Sequence, residues 1–434
     1  MRGLDALSDV GRLLMHENLQ PPWRRDVIGV NDPESIDRSM ISILPRLSYL
    51  GEVPVECSYH GSALLWRLLE NYPPRKLLIV EGIRRSSVER RLSGVRYIHP
   101  PTPGIGRMLR TRYALHVSEV LYRAIPILAA SIVPSVAYHR PEAIITVCHG
   151  LFWLVAARVA NILKLPLHVI VHDHVPVTLL ASERTRTRLV REFGRIYSAA
   201  ASRFCVSEAM ATEYELTFGV AGQVLYPCRA RSPLKQPLRA VRRCATSRGL
   251  TGVFAGTVAG SDYGDALAAL ARQLAHVGGK LVIYSSINRA DAALLGRDLP
   301  NMEFPGLVPA SVLRERCQKE ADFLYVPMSF GESISVNMRL SFPSKLADYT
   351  EIGLPLLIRG PMYCSAVQWA RKHPGVAEVV DTENEEELLQ AVKRLSDPQV
   401  RVTLAHEASR VGDLYFSHAR AESMLFGALT GGAA

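Results

Sequence analysis

The sequence has few cysteines, and their spacing excludes two common kinds of site. The seven cysteines are odd in number, scattered along the chain, and never spaced as Cys-x-x-Cys. This distribution excludes a disulfide framework and a cysteine zinc site. It is typical of a protein from a reducing compartment, so we expect a cytoplasmic location.

Long hydrophobic runs are also missing. The most apolar run, Ala124–Ala137, has 14 residues and two prolines, whereas about 20 apolar residues are needed to cross a bilayer. The first 25 residues contain no uninterrupted apolar region followed by a small-residue cleavage site, which is the pattern of a secretory signal. We therefore expect neither a bilayer-spanning segment nor a secretory signal.

Acidic residues are fewer than basic ones, 41 against 51, which gives a formal net charge of +10. The excess is concentrated between Arg75 and Arg112, where ten residues are basic and two are acidic. This stretch is either an ordinary solvated surface or a site for an anionic acceptor or for membrane head groups. Nucleic-acid binding is not expected, because the basic stretches lack interleaved aromatic residues and any known nucleic-acid motif.

The chain is long enough for two large domains. It has 434 residues, 48% of them hydrophobic, which is typical of soluble globular proteins. Short apolar runs alternate with longer amphipathic segments on both sides of a basic, proline-containing stretch at residues 229–248. We interpret that stretch as a linker, and the alternation as βαβ units that form parallel sheets.

The predicted fold is α/β, with two Rossmann-like doubly wound domains that face a central cleft. We expect the first domain at residues 1–230, the second at 231–410, and a C-terminal helix at 411–434 that crosses back to the first domain. The predicted strands are residues 76–81, 143–147, 167–171 and 203–206 in the first half, and 251–255, 280–285, 302–305, 322–326, 355–358 and 377–380 in the second.

Histidines follow several predicted strands of the first half. Ligands of doubly wound sheets bind at the carboxyl ends of the strands, and this position holds Cys148-His149-Gly150 and His172-Asp173-His174. His172 and Asp173 are candidate catalytic residues, because a neutral histidine can hydrogen-bond a substrate hydroxyl and an aspartate can act as a general base. A metal site is not expected, since adjacent residues of an extended segment point to opposite faces. Each histidine alone is more commonly a hydrogen-bonded structural residue.

The segment at residues 341–349 has the residues of an anion site. Ser341 or Ser344 can cap a helix whose free N–H groups and dipole attract an anion. Lys345 adds a charge suited to a diphosphate, and Asp348, on the same helix face, can accept hydrogen bonds from ribose hydroxyls. The alternative is an ordinary capped helix with an exposed Lys345–Asp348 pair.

Four segments in order resemble the GT-B glycosyltransferases, in particular the large family that includes bacterial polysaccharide and lipid-linked sugar transferases. They are Phe254–Thr257, Pro300–Pro309, Ala321–Pro327 and Pro343–Tyr349. The likeness covers roughly residues 250–410 and is weak before residue 140. It implies that the second domain binds a nucleotide sugar and that the first binds the acceptor.

The resemblance also assigns roles to individual residues. It implies that His172 lies near the donor sugar and that members of the family need no divalent metal, so we expect neither a metal nor a cofactor beyond the nucleotide sugar, of UDP or GDP type. The implied nucleotide contacts are Gly256 and Thr257 near the phosphates, Tyr284, Ser285, Leu307 and Val308 beside the base, Ser344 and Lys345 on the diphosphate, with Ser341 at the same helix start, and Asp348 on the ribose.

The sequence departs from the family in two places. Retaining members usually carry two glutamates eight positions apart, but here those positions hold Leu340 and Asp348. Glu332 is the candidate catalytic residue that could replace the missing glutamate. The loop at residues 258–263 lacks the usual Arg and Lys, which leaves Arg339 as a reserve phosphate ligand. Retention or inversion of the anomeric centre stays open.

These observations predict a glycosyltransferase that moves a sugar to a hydroxyl of a glycan or lipid-linked acceptor in polysaccharide biosynthesis. We expect it at the inner face of the cell membrane, with peripheral contact through the basic first domain. Two alternatives stay open: a GT-B epimerase or phosphorylase, and a catalytically inactive partner subunit. The missing glutamate and basic loop would explain the second alternative.

Overall fold

A computed structural model of the chain describes residues 38–57, 60–100, 105–175, 180–231, 249–258, 260–294 and 297–431. The described chain divides into two compact units. The first unit contains the described residues of 33–231, 339–344 and 415–434, and the second contains those of 232–338 and 345–414. The first 25 residues, where no secretory signal is expected, and most of the expected linker lie outside the described residues.

The first unit contains a seven-stranded parallel sheet with strand order β3-β2-β1-β4-β5-β6-β7. The chain runs towards one side of the sheet from β1 to β3 and towards the other side from β4 to β7, so the order reverses between β1 and β4. The strands are β1 Leu47–Gly51, β2 Leu77–Glu81, β3 Arg96–Ile98, β4 Ala143–Val147, β5 Leu167–Val171, β6 Ser202–Cys205 and β7 Gln223–Val224.

Helices cover both faces of this sheet, because right-handed crossovers place the helices before and after the reversal on opposite faces. Three of the strands, β1, β2 and β4, are buried along their whole length, as expected for a parallel sheet covered on both faces. The helices of the first half are α1 Arg38–Ile43, α2 His60–Leu69, α3 Ile105–Met108, α4 Ala114–His139, α5 Phe152–Leu163, α6 Glu183–Ala199 and α7 Glu208–Phe218.

The second unit contains a six-stranded sheet with strand order β10-β9-β8-β11-β12-β13, also parallel throughout. Its strands are β8 Thr251–Ala255, β9 Lys280–Tyr284, β10 Met302–Glu303, β11 Phe323–Pro327, β12 Leu356–Arg359 and β13 Glu378–Val380. The helices that follow α7 in the chain are α8 Ser261–Ala275, α9 Arg289–Leu294, α10 Ala310–Glu320, α11 Ser335–Leu340, α12 Lys345–Ile352, α13 Ser365–Lys372, α14 Glu385–Leu395, α15 Pro398–Tyr415 and α16 His418–Leu429.

The last helix, α16, belongs to the first unit. Leu425 and Phe426 are fully buried in the core that α2 forms with one face of the sheet. The ring of Phe426 stands edge-on to that of Tyr72, with 5.7 Å between the ring centroids. The chain therefore returns to its first unit after completing the second.

The two-domain α/β class is confirmed, and each of the ten predicted strands corresponds to an observed one. The sequence analysis missed β1, β3 and β7. The apolar run at residues 124–137 lies within α4, which has 26 residues. By length and composition alone α4 could cross a membrane, with a mean hydropathy of 1.7 over its most apolar window.

Candidate functional site

Lys345 and Gly256 lie side by side at the carboxyl end of β8. Lys345 is the first residue of α12, and Gly256 directly follows the strand. A Cβ atom at Gly256 would lie 3.1 Å from Lys345 Nζ, and the φ of +145° disfavours any other residue. The Lys345 ammonium also lies 4.1 Å from the centroid of the Phe254 ring, a cation–π distance. Two of the predicted nucleotide-binding residues are thus neighbours.

The environment of Lys345 leaves its positive charge uncompensated. Burial lowers the pKa of Lys345 to about 7 and is the only cause of the shift, so no carboxylate among the described residues offsets it. A cation removed from water without a counter-charge is costly. An anion bound beside Lys345 would remove that cost. The alternative of an exposed Lys345–Asp348 pair is therefore wrong.

Tyr349 connects α12 to the end of β8. Its hydroxyl accepts a hydrogen bond from the Ala255 N–H (2.7 Å) and donates one to the Ala255 carbonyl (3.1 Å). Tyr349 follows Lys345 by four residues, so both side chains lie on the same face of α12. The sequence analysis quoted Tyr349 without giving it a role. It fixes the backbone from which the Gly256 loop begins.

The two candidate capping serines have different positions. Because α12 begins at Lys345, Ser344 directly precedes the helix and Ser341 does not. Ser341 belongs to the first unit, where its hydroxyl donates a hydrogen bond to Asp173 Oδ1 (3.1 Å). The interpretation of Ser341 as the cap of α12 is therefore wrong.

The residues expected beside the base differ in accessibility. The side chains of Tyr284 and Ser285 are buried; burial raises the pKa of the Tyr284 hydroxyl, and the nearby Arg316 opposes that rise. Leu307, in contrast, is 46% exposed, and Val308 is partly exposed. A nucleotide could therefore contact Tyr284 and Ser285 through their backbone, and Leu307 and Val308 through their side chains.

The remaining predicted residues of the second unit lie at its strand ends and on α12. Thr257 is exposed beside Gly256, whereas Asp348 is partly buried on α12 and has an interaction partner. Glu332 is exposed and follows β11, where the Gly331 N–H donates to Ser329 Oγ (2.9 Å) and Ser329 Oγ donates to Asp262. Glu332 belongs to the second unit, whereas the candidate catalytic pair His172 and Asp173 belongs to the first.

His172 lies at the carboxyl end of β5, in the first unit, and is held in a neutral form. Burial lowers its pKa to about 4. A Cβ atom at Gly61 would lie 3.1 Å from His172 Nδ1, so the glycine makes room for the ring. His172 Nε2 is buried and has no hydrogen-bond partner among the described residues. A buried nitrogen without a partner is rare enough to indicate a missing ligand or water.

Asp173 directly follows His172 in the sequence and lies close to two other polar residues. Asp173 Oδ2 lies 4.0 Å from His149 Nδ1, and its Oδ1 accepts the hydrogen bond from Ser341. Burial lowers the pKa of His149, the charge of Asp173 opposes that shift, and the charge of Arg84 adds to it. Polar residues predicted at two consecutive strand ends, His149 after β4 and Asp173 after β5, are therefore close together.

Glu52 and Arg84 complete this cluster, and the sequence analysis missed both. Glu52 follows β1, and its carboxylate accepts hydrogen bonds from the N–H groups of Leu151 (2.8 Å) and Phe152 (3.2 Å) at the start of α5. Burial raises the pKa of Glu52, and the positive charge of Arg84 opposes the shift. Because β1 was not predicted, nothing in the sequence marked Glu52 as a strand-end residue.

The segment Arg339–Ser344 is held in the first unit. Arg339, the expected reserve phosphate ligand, instead forms an ion pair with Glu213 at 2.8 Å. The Ser207 hydroxyl donates a hydrogen bond to the Leu340 carbonyl. Held in this way, the segment places the Ser341 hydroxyl within hydrogen-bonding distance of Asp173.

The described part of the chain contains no group of three or more His, Cys, Asp and Glu side chains that could hold a metal ion. The six cysteines in that part are free, and five of them are buried.

Comparison with known proteins identifies the architecture. No family model and no curated protein sequence matches the chain. Solved structures do match it: Anabaena HepE, in a complex with UDP and glucose, has a TM-score of 0.64 at 12% identity, covering 89% of this chain and 99% of that one.

Two further structures show the same similarity. The α,α-trehalose 6-phosphate synthase of Burkholderia multivorans has a TM-score of 0.59 at 13% identity, covering 89% of this chain and 97% of that one. The lipopolysaccharide outer core galactosyltransferase WaaB, in its apo form, has a TM-score of 0.55 at 12% identity, covering 89% of this chain and 99% of that one. The chain therefore has the GT-B fold of nucleotide-sugar glycosyltransferases, as the four sequence segments predicted.

Proposed function

We propose that the protein is a glycosyltransferase that moves a sugar from a nucleotide diphosphate sugar to a hydroxyl group of an acceptor. The observation that carries this proposal is the position of the Lys345 ammonium, against Gly256 at the carboxyl end of β8 and at the first residue of α12. Such a cation, beside the start of a helix, suits the diphosphate of the donor, whose negative charge grows as the sugar leaves.

The donor is of UDP or GDP type, and UDP is favoured by its presence in HepE, one of the structures with the same fold. Lys345 and the backbone amides at the start of α12 would balance the charge of the diphosphate, so we propose that transfer needs no divalent metal. Asp348 would accept hydrogen bonds from the ribose, and Gly256 and Thr257 would lie near the phosphates.

The acceptor would be bound by the first unit. His172 Nε2, buried without a partner among the described residues, could exchange a hydrogen bond with a sugar or acceptor hydroxyl. Asp173 is the candidate base, oriented by Ser341 and close to His149. We propose a glycan or lipid-linked acceptor in polysaccharide biosynthesis, at the cytoplasmic face of the membrane, reached by peripheral contact through the basic surface of this unit.

A thermal-shift panel of UDP, GDP, CDP and dTDP tests the proposal, because a ligand that binds only the folded protein raises its melting temperature. We expect one nucleotide to stabilise the wild type. Lys345→Ala should weaken its binding by about 1.5–3 kcal/mol, the range for a charge-assisted contact. Lys319→Ala, which removes an exposed lysine from the same unit, is the matched control. Unchanged affinity in Lys345→Ala would refute the site.

A turnover assay then separates the remaining alternatives. Release of the nucleotide from its sugar donor should depend on an added acceptor. Epimerisation or hydrolysis of the donor without an acceptor would indicate a different reaction on the same fold. Nucleotide binding without any turnover would indicate an inactive partner subunit.

A further inference from the structure

Helix α4 is hydrophobic but largely uncovered. Its most apolar 18-residue window has a mean hydropathy of 1.7, yet only 28% of that window is buried. At about 1.5 Å per residue the helix extends roughly 39 Å. A core helix of this composition would be mostly buried. Some of the apolar surface of α4 is therefore left for a partner.

The helix has two distinct faces. One face is buried against the first unit, where α4 packs on α5; its residues are Ser118, Leu121, Ile125, Ala129, Ile132 and Val136. The opposite side carries what we call the apolar face: Val120, Ile127, Ala130, Pro134 and Tyr138, all exposed. Val120, Ile127 and Tyr138 are 62%, 74% and 79% exposed. Arg123 is exposed on this side between Val120 and Ile127, and no charged residue follows it before His139.

A row of arginines borders α4. Arg184, Arg188, Arg191 and Arg195 are exposed and lie on one face of α6 at helical spacing; we call them the arginine stripe. The guanidinium of Arg188 lies 5.9 Å from the centroid of the Tyr122 ring, which places the stripe beside α4. The sequence analysis did not single out these arginines.

Further arginines lie at both ends of α4, while its acidic residue is already engaged. Arg112 lies over the ring of Tyr113 before the first turn, and Arg96 lies over the ring of Tyr138 in the last turn. Glu119 accepts hydrogen bonds from Ser182 and Thr185 at the start of α6. On α6, Glu192 forms an ion pair with Arg195 at 2.7 Å, so the positive charge beside the apolar face comes mainly from the other arginines.

We propose that the apolar face and the arginine stripe form one surface that docks on an anionic lipid bilayer. In this arrangement α4 lies in the plane of the interface, with the apolar face among the acyl chains and the arginines at the phosphates. A helix that crossed the bilayer would have to leave α5, where its other face is buried. Pairing of two copies through this face would bring two arginine stripes together, so charge favours the anionic partner.

The orientation of α4 relates lipid docking to the candidate catalytic residues of the first unit. The helix leads from β3 to β4 in a parallel sheet, so its first turn lies towards the carboxyl ends of the strands, where His149, His172 and Asp173 lie. Because α4 would lie in the plane of the interface, docking would hold this end of the sheet beside the membrane surface, next to the first turn of the helix. Docking itself does not depend on nucleotide; presentation of a lipid-linked acceptor rests on the proposed function.

Vesicle flotation of the full chain tests the proposal. We expect the wild type to float with vesicles of phosphatidylcholine and phosphatidylglycerol, not with phosphatidylcholine alone, and to be released by salt. Ile127→Asp should abolish flotation. Leu216→Asp, which places the same charge on α7 at a residue 80% exposed, should float like the wild type.

The arginine stripe is tested by charge reversal. Arg188→Glu with Arg191→Glu should weaken vesicle binding by about fivefold or more per residue, the effect of one basic residue near an anionic surface. Arg420→Glu with Lys393→Glu, at two exposed basic residues on α16 and α14, changes the net charge by the same amount and is the control. Equal flotation of the double variant and the wild type would overturn the proposal.

Two measurements distinguish the other outcomes. Light scattering of wild type and Ile127→Asp would overturn lipid docking if the wild type were a dimer that the variant dissociates, because the apolar face would then be an interface between copies. UDP affinity, measured on all variants, should be unchanged. Loss of lipid binding with intact UDP binding, or the reverse, shows which of the two proposals fails.

Discussion

At the scale of single residues, the second unit has a lysine, Lys345, whose position favours the binding of an anion. It also has a glycine, Gly256, at a position where a side chain would meet that lysine. The resemblance predicted Lys345 and Gly256 as nucleotide-binding residues, and the structure makes them neighbours. It did not predict the separation of Ser341 from Ser344. A capping serine is recognised in sequence only by its distance from the helix start, and either residue was compatible with a helix near Lys345.

Replacing Gly256 should impair nucleotide binding. In Gly256→Ala the new Cβ meets Lys345 Nζ at 3.1 Å and the backbone is held at a φ of +145°, so Lys345 must move. We expect UDP affinity to fall at least tenfold by isothermal titration calorimetry. Gly278→Ala also introduces a side chain at positive φ, but with no atom within 4 Å. It should reduce stability and leave UDP affinity unchanged; a similar loss in both variants would contradict the role of Gly256.

Nucleotide binding should depend on pH through Lys345. Its pKa of about 7 in the free protein should rise when a diphosphate binds, because the anion favours the charged form. Binding therefore takes up a proton above pH 7, and UDP affinity should fall as pH rises from 7 to 9, by at most about tenfold per pH unit. Lys345→Arg, always charged, should show a flat profile over that range. A flat wild-type profile would disprove this linkage.

At the scale of elements, the strands were more predictable than the residues that follow them. Buried parallel strands are short apolar runs, which periodicity detects well, and β4, β5 and β8 match their predicted ranges. β1 escaped detection because Ser48 and Gly51 interrupt its apolar residues. The omission of β1 also concealed Glu52, which holds the start of α5.

Two substitutions separate the hydrogen-bonding role of Glu52 from its charge. Glu52→Ala leaves the N–H groups of Leu151 and Phe152 without their acceptor, so the free energy of unfolding should fall by about 1–3 kcal/mol. Glu52→Gln keeps an acceptor oxygen and should stay within about 1 kcal/mol of the wild type. Urea denaturation at pH 7 measures both. Equal losses in the two variants would contradict this assignment.

We also expect the stability difference between the wild type and Glu52→Gln to depend on pH. Burial raises the pKa of Glu52 above its usual value, so the folded protein retains this proton at a higher pH than the unfolded chain does. The wild type should therefore gain stability relative to Glu52→Gln as pH falls from 7 towards 4.5 and lose that gain as pH rises again. A constant difference between the two across this range would show that Glu52 does not titrate as proposed.

At the scale of the whole molecule, composition and length predicted two α/β units, but not how the chain is shared between them. Arg339–Ser344 interrupts the second unit and belongs to the first. No local pattern marks such an exchange, because the segment is fixed by Glu213, Ser207 and Asp173, all far away in sequence. Only the arrangement in space reveals it.

Hydrogen exchange on the full chain should show two separate regions of ligand protection. UDP should slow exchange at the loop after β8 and the start of α12, where the proposed diphosphate site lies. Anionic vesicles should slow exchange in α4 without affecting those residues. Protection of α4 by UDP alone, or of α12 by vesicles alone, would contradict the assignment of the two ligands to these surfaces.

The position of α16 affects how the chain folds as it is made. The core of the first unit includes Ala421, Leu425 and Phe426, which leave the ribosome after the entire second unit. The first unit, although most of it is synthesised first, therefore cannot complete its core until translation has passed residue 426. About 200 residues separate the start of the second unit from residue 426, and at roughly 5–20 residues per second their synthesis takes tens of seconds. During that time the unfinished core of the first unit is exposed and needs protection by chaperones.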